Sequence, residues 1–156
     1  MDVHMFIFYI RLQKILVERE SHVKKPSYRI AIALVQRGER WLVAQRRATA
    51  HMGGLWEFPG GKIEQQETPT QAALRELREE CVVEALAVAE YSPQFHGYAD
   101  RDVTLYPVLC VWQSGETESL DNAACRWVTM AELERLEMPP ANAAVVAAMK
   151  QRLSAQ

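Results

Sequence analysis

Short apolar runs bounded by turn residues predict strands at 28–35, 40–45, 103–112 and 125–128. Residues 36–39 form the turn between the first two. Residues 48–54 read as a loop, and Leu55-Trp56-Glu57-Phe58 runs on into Pro59-Gly60-Gly61. Residues 84–95 are mostly apolar with strand-like stretches, and 97–101 is a turn. Pro107 interrupts the strongest apolar run, which predicts an edge strand or a bulge there. Residues 113–122 are polar and loop-like. Helical spacing fills the stretch from Thr68 to Cys81. Thr129-Met130-Ala131-Glu132 has capping-box spacing and starts a short helix, which Met138-Pro139-Pro140 breaks. An Ala/Val-rich helix at 142–153 ends the chain. This order of strands, helix, strands and helices predicts an α+β fold, a mixed sheet flanked by helices on both faces.

Residues 1–27 fit this order least. Met5-Phe6-Ile7-Phe8-Tyr9-Ile10 is apolar, but Arg11 and Lys14 soon interrupt it. The run is too short to span a bilayer and lacks the flanks of a signal peptide. Residues 17–25 read as a polar linker. The stretch is either an extra helix packed on the domain or on a partner, or upstream sequence from a non-native start. The second reading is favoured, with a disordered extension at 1–27 and the domain at 28–156.

The chemistry concentrates between residues 58 and 83, which read FPGGKIEQQETPTQAALRELREECVV. Pro59-Gly60-Gly61 cannot be regular structure, since proline lacks a donor and glycine permits close backbone approach. Thr68 is a suitable N-cap and Pro69 suits the first helical position. On that helix Ala73, Leu74, Leu77 and Cys81 make an apolar stripe. Glu76, Glu79 and Glu80 share another face at i, i+3 and i+4. Like charges at those spacings destabilise a helix by roughly 0.2–0.5 kcal/mol per pair. A solvated acidic face offset by Arg75, Arg78 and Arg101 is the ordinary explanation. A divalent cation held by these carboxylates, with Glu67 in a facing loop, is the alternative.

The spacing G-x5-E-x7-R-E-L-x-E-E from Gly61 to Glu80 resembles the Nudix box, the signature of the Nudix hydrolases. Cys81-Val82 departs from it, because the family usually has glycine two residues after the Glu-Glu pair; a changed helix exit at Val82 is expected. Arg46-Arg47, His51-Met52, the segment from Leu55 to Gly61, Asp100-Arg101 and Pro139-Pro140-Ala141-Asn142 extend the likeness to the MutT-type 8-oxo-dGTP diphosphatases.

The resemblance implies a Nudix-like α/β/α sandwich and Mg²⁺-dependent (Mn²⁺ would also serve) hydrolysis of a nucleoside triphosphate to the monophosphate and pyrophosphate. An oxidised purine such as 8-oxo-dGTP is the expected substrate, and nucleotide-pool sanitation the role. It places Gly61, Glu67, Glu76, Glu79 and Glu80 around the metal, with Arg75, Glu76 and Glu79 catalytic. It makes Asn142 the base reader, helped by the Phe58 backbone and Arg101, with Arg47 on phosphate or sugar. The ordinary reading of Asn142 is an N-cap. Arg126 stands just before Trp127, where MutT-type enzymes often carry a glutamate; Asp121 is the candidate substitute acid. The alternatives are a pyrimidine nucleotide such as CTP or 5-methyl-dCTP, and a catalytically weak nucleotide-binding module.

Composition narrows the partners. The chain has 156 residues, 49% hydrophobic and 24% charged, with a net charge of −2, which fits one domain without a basic field. Duplex nucleic acid and anionic membranes are not expected partners. Cys81, Cys110 and Cys125 are odd in number and form no C-x-x-C. They suit reduced, core-filling thiols in a cytoplasm. Monomer and homodimer both remain open.

Overall fold

The computed structural model describes residues 3–20, 24–117 and 124–156, with side chains described for all of these except 16–20. Asp121 and part of the expected 113–122 loop lie outside the described residues. The elements run α1 (Val3–Glu20), β1 (Ser27–Arg37), β2 (Arg40–Gln45), β3 (Trp56–Glu57), β4 (Gly60–Lys62), α2 (Pro69–Cys81), β5 (Glu84–Glu90), β6 (Gln94–Gly97), β7 (Asp102–Ser114), β8 (Cys125–Thr129), α3 (Met130–Leu133) and α4 (Pro140–Ser154).

The eight strands form one mixed sheet. Its main path is β3-β2-β1-β7-β5, with β4 also on β1, β6 on β7 and β8 on β2. The β1–β7 pair is parallel and the other pairings are antiparallel. The apolar run of β1 serves both faces, as a strand buried on two sides must. Ala31, Ala33 and Val35 pack with Ala72, Ala73, Leu77 and Cys81 of α2. Ile32 and Leu34 pack on the opposite face with Val145, Val146 and Met149 of α4. This is the expected sandwich of sheet between helices. In α2 the expected stripe holds: Ala73, Leu77 and Cys81 are buried and Leu74 packs half-buried on the same cluster, with Ala72 buried beside them.

The expectation that Pro107 marks an edge is corrected. β7 is central, with β1 on one side and β5 and β6 on the other. Pro107 faces the break between those two strands, since β5 reaches Val108 and β6 begins at Leu105. Its carbonyl accepts from Tyr91 N–H at 2.9 Å on that side. No ladder bond there needs a donor from residue 107. The register shifts of the β5–β7 pair lie between Glu84 and Ala85 and between Ala87 and Ala89, not at Pro107.

Val82 is a second correction. The exit of α2 is the left-handed turn a glycine would make, with Val82 at φ 57°, ψ 34° and its N–H on Arg78 O. A β-branched side chain is held where glycine is favoured. Val82 is also 41% exposed, so it buries little in return. Val82→Gly is therefore expected to stabilise the protein by about 1 kcal/mol. Thermal melts check this; an unchanged or lower melting temperature would contradict it.

Two further differences concern the ends. Val3–Glu20 is helical, with residues 3–15 exposed, where a disordered extension was favoured. No proline or glycine interrupts that stretch. The last helix begins at Pro140, two residues before the expected start, with Pro139 as N-cap. Asn142 is thus inside the helix and does not cap it.

Candidate active site

Local chemistry sets α2. Thr68 Oγ1 accepts from Gln71 N–H at 3.1 Å, and Gln71 Oε1 accepts from Thr68 N–H at 2.9 Å. This closes a capping box ahead of Pro69. The helix then lies over β4, and here the expectation of irregular chain at Pro59-Gly60-Gly61 is corrected. Both glycines are in a strand paired with β1 through Ile32↔Gly60 and Ala31↔Gly61, because a residue without a side chain fits where the neighbouring strand and helix come this close.

Both glycines are required by what lies above them. A Cβ on Gly60 would strike the Ala31 carbonyl and lie 2.8 Å from Ile32 Cα. A Cβ on Gly61 would lie 2.7 Å from Glu76 Oε2 and nearer still to the rest of that carboxyl. Gly61 therefore cradles the carboxylate of Glu76.

Arg75 ties the loop to the helix. Its Nε donates to Glu67 Oε1 at 2.8 Å and its Nη2 to Glu67 Oε2 at 3.0 Å and to Lys62 O at 3.1 Å. Its Nη1 donates to Glu76 Oε1 at 2.6 Å and lies 3.6 Å from Glu79. Glu67 also accepts from Glu64 N–H at 2.9 Å. The Arg75 hydrogen bonds, with that backbone donor, hold the Glu67 carboxyl down to about 2. Its contribution to stability is present above the ordinary carboxylate range and is lost only as pH falls towards 2. Of the other candidate counter-charges, Arg78 pairs with Glu84 at 2.7 Å and Arg101 with Asp100 at 2.8 Å. Neither offsets the acidic face directly.

Glu80 is the strained member. Burial, then the charges of Glu57 and Glu76, push its carboxyl up to about 8. Burial also raises Glu57, partly offset by Arg46 at 2.6 Å. Glu57 has no role in the sequence-based site, yet its charge acts directly on Glu80. Among the described residues no three such side chains converge as a ready-made cage: Glu76 turns to Arg75, and Glu79 is 61% exposed. The donor set is nonetheless all oxygen, and its crowded negative charge suits a hard divalent cation.

A pH dependence follows from Glu80. Its native value lies above its ordinary 4.5, so the folded state binds the extra proton between the two values. Metal-free stability is expected to fall, by several degrees in melting temperature, as pH rises from about 5 to 8. A saturating divalent ion should remove most of that fall. Glu80→Gln should flatten it in metal-free buffer. Melts at four pH values with chelator or Mg²⁺ check this, and an identical slope in wild type and variant would refute it.

Beside this cluster lies a cavity of about 310 Å³. Gly60, Gly61, Lys62, Glu57 and Arg46 line it together with Phe58, Asn142, Tyr28, Tyr98, His51 and Arg101. Three of the four expected substrate residues, Phe58, Arg101 and Asn142, are thus brought together. The fourth, Arg47, is exposed on the following turn, and Arg46 lines the cavity in its place. Asn142 is 5% exposed, and its Oδ1 accepts from Phe58 N–H at 3.1 Å. That bond fixes which end of the amide is oxygen and which is nitrogen. Arg126 is exposed, with its guanidinium 4.3 Å from the Trp56 ring centroid.

A family model described as NUDIX domain matches residues 30–148. The chain is 38% identical over 104 residues to the 8-oxo-dGTP diphosphatase of Proteus vulgaris, covering 66% of this chain and 91% of that one. It is 34% identical over 122 residues to the 8-oxo-dGTP diphosphatase of Escherichia coli, covering 78% and 95%. It is 48% identical to the E. coli CTP pyrophosphohydrolase, but over 62 residues, 40% of this chain and 45% of that one. Among solved structures, the E. coli ORF135 protein superposes with a TM-score of 0.73 at 28% identity, covering 85% of this chain and 94% of that one.

Proposed function

The chain belongs to the Nudix family as a pyrophosphohydrolase of MutT type, and from that premise we propose that it hydrolyses 8-oxo-dGTP to the monophosphate and pyrophosphate with Mg²⁺. The observation that carries the substrate is the locked amide of Asn142. Its oxygen keeps a second lone pair and its NH₂ two donors, in a fixed order facing the cavity. Normal guanine offers two acceptors, N7 and O6, along its outer edge. Oxidation at C8 places a hydrogen on N7, so the edge becomes donor and acceptor. A fixed acceptor–donor amide complements that edge and leaves one mismatch with normal guanine.

Glu76, Glu79, Glu80 and the Gly61 carbonyl would hold the cation, with Glu67 supporting them through Arg75. Held by them, such a cation would supply charge neutralisation at the phosphate oxygens and Lewis acidity toward the attacking water. A carboxylate of the Glu76/Glu79 pair takes the water's proton. Arg46 and Lys62 supply charge to the triphosphate, and Arg47 stands next to them on the exposed turn. Asp121 is the candidate auxiliary acid, and Arg101 closes the base site. The setting is the cytoplasm, where nucleotide pools lie. Among the described residues no helix is long and apolar enough to cross a membrane.

Asn142→Ala tests the reading. The ratio of kcat/KM for 8-oxo-dGTP over dGTP is expected to fall about 10-fold, with dGTP turnover little changed. An unchanged ratio in a folded variant would sink it. The segment shared with the CTP pyrophosphohydrolase supports a second reading, a pyrimidine triphosphate. Under that reading Asn142→Ala leaves guanine discrimination untouched.

A further inference from the structure

We infer that Cys81 and Cys125 form a dithiol that a peroxide converts reversibly to a disulfide, fastening the end of the acidic helix to β8. Cys81 is the last residue of α2 and Cys125 the first of β8. Their sulfurs lie 2.7 Å apart, well inside the contact distance of two unbonded sulfur atoms. Both ends are anchored independently. The Cys81 end is fixed by the helix and its left-handed cap, and Cys125 by the register with Ala44 on β2. From 2.7 Å the two sulfurs need to approach by only about 0.7 Å to reach the length of a bond. Core filling explains Cys110, which is buried with its thiol on Val108 O at 3.5 Å. It does not explain two sulfurs in such close approach across two elements.

Exposure sets the order of events. Cys125 is half-buried and Cys81 is fully buried. Cys125 therefore meets hydrogen peroxide first: its sulfur attacks, the O–O bond breaks, a sulfenic acid forms and water leaves. The sulfur of Cys81 then attacks that sulfenic sulfur. The S–S bond forms, the S–O bond breaks, and the hydroxyl departs as water with the thiol proton. Two thiols lose two electrons and one peroxide is reduced. The bond joins the elements that carry Glu80 and Arg126, so it constrains the cation cradle from behind. The inference stands apart from the substrate reading, since it depends on neither base nor metal.

The test treats the reduced full-length protein with equimolar hydrogen peroxide and alkylates the remaining thiols under denaturing conditions. Alkylatable thiols are expected to fall from the three present to one, Cys110. A Cys81–Cys125 cross-linked peptide should appear, two hydrogens lighter than the pair. Dithiothreitol should reverse both changes, and the oxidised form should melt about 5 °C higher. Cys110→Ala should form the same link, its alkylatable thiols falling from two to none, whereas Cys81→Ala and Cys125→Ser should each give no intrachain link. Three thiols still alkylatable, over-oxidised Cys125 without a link, or a bond between two chains would each overturn the inference.

Discussion

Replacing Glu76 by glutamine is expected to lower kcat about 1000-fold while leaving the protein folded. Glu76 is the carboxylate on which the site converges. It lies over Gly61, accepts from Arg75 Nη1 at 2.6 Å, and is close enough to raise Glu80. Glutamine keeps the size but removes the charge. Cation binding and proton removal from water both weaken, and the Arg75 bridge loses its charged partner. The side chain is only 17% exposed, so the charge acts with less screening than at the surface. Stability in metal-free buffer should not fall much, because Glu80 is relieved of a repelling neighbour. Steady-state kinetics with Mg²⁺, beside a thermal melt, check both halves. A variant within a few-fold of wild-type kcat would contradict the assignment.

Gly61→Ala should cost about 100-fold in kcat with only a small loss of stability. The added methyl falls on the Glu76 carboxyl, the far end of a flexible side chain, which can swing aside. The fold survives and the metal-binding geometry does not. Gly60→Ala is the informative contrast. There the obstacles are the Ala31 carbonyl and the Ile32 Cα of the neighbouring strand, which cannot move without opening the sheet. That variant should lose stability first. If the two alanine variants behave alike, Gly61 is a packing glycine and not part of the cradle.

Residues close in sequence made their part of the site legible. The cap at Thr68, the first-turn Pro69 and the span of α2 depend on neighbours within about two helical turns, and these stand as expected. The same holds for the capping box at Thr129. What needed the assembled fold was harder to read. Whether Pro107 sits at an edge depends on where two other strands stop. Val82 departs from the glycine expected at the helix exit, but α2 still ends in the turn that glycine would make. Asn142 suits a helix N-cap by residue type alone. Only the packing of α4 against Phe58 turns it inward.

Charge posed the other difficulty. An arginine doublet at a strand end cannot reveal which member faces inward, because successive side chains point to opposite sides. Arg46 took that place. Glu57 lies far from the acidic helix in the chain and carries no spacing signal. Its charge reaches Glu80 across the fold and not along the chain.

The most direct measurement is pyrophosphate release by the wild-type protein with Mg²⁺ across 8-oxo-dGTP, dGTP, dCTP, 5-methyl-dCTP and ADP-ribose. The account predicts the highest kcat/KM for 8-oxo-dGTP, well above dGTP, with the monophosphate as second product. A preference for dCTP, 5-methyl-dCTP or ADP-ribose would contradict the Asn142 assignment and leave only the cation chemistry of the box.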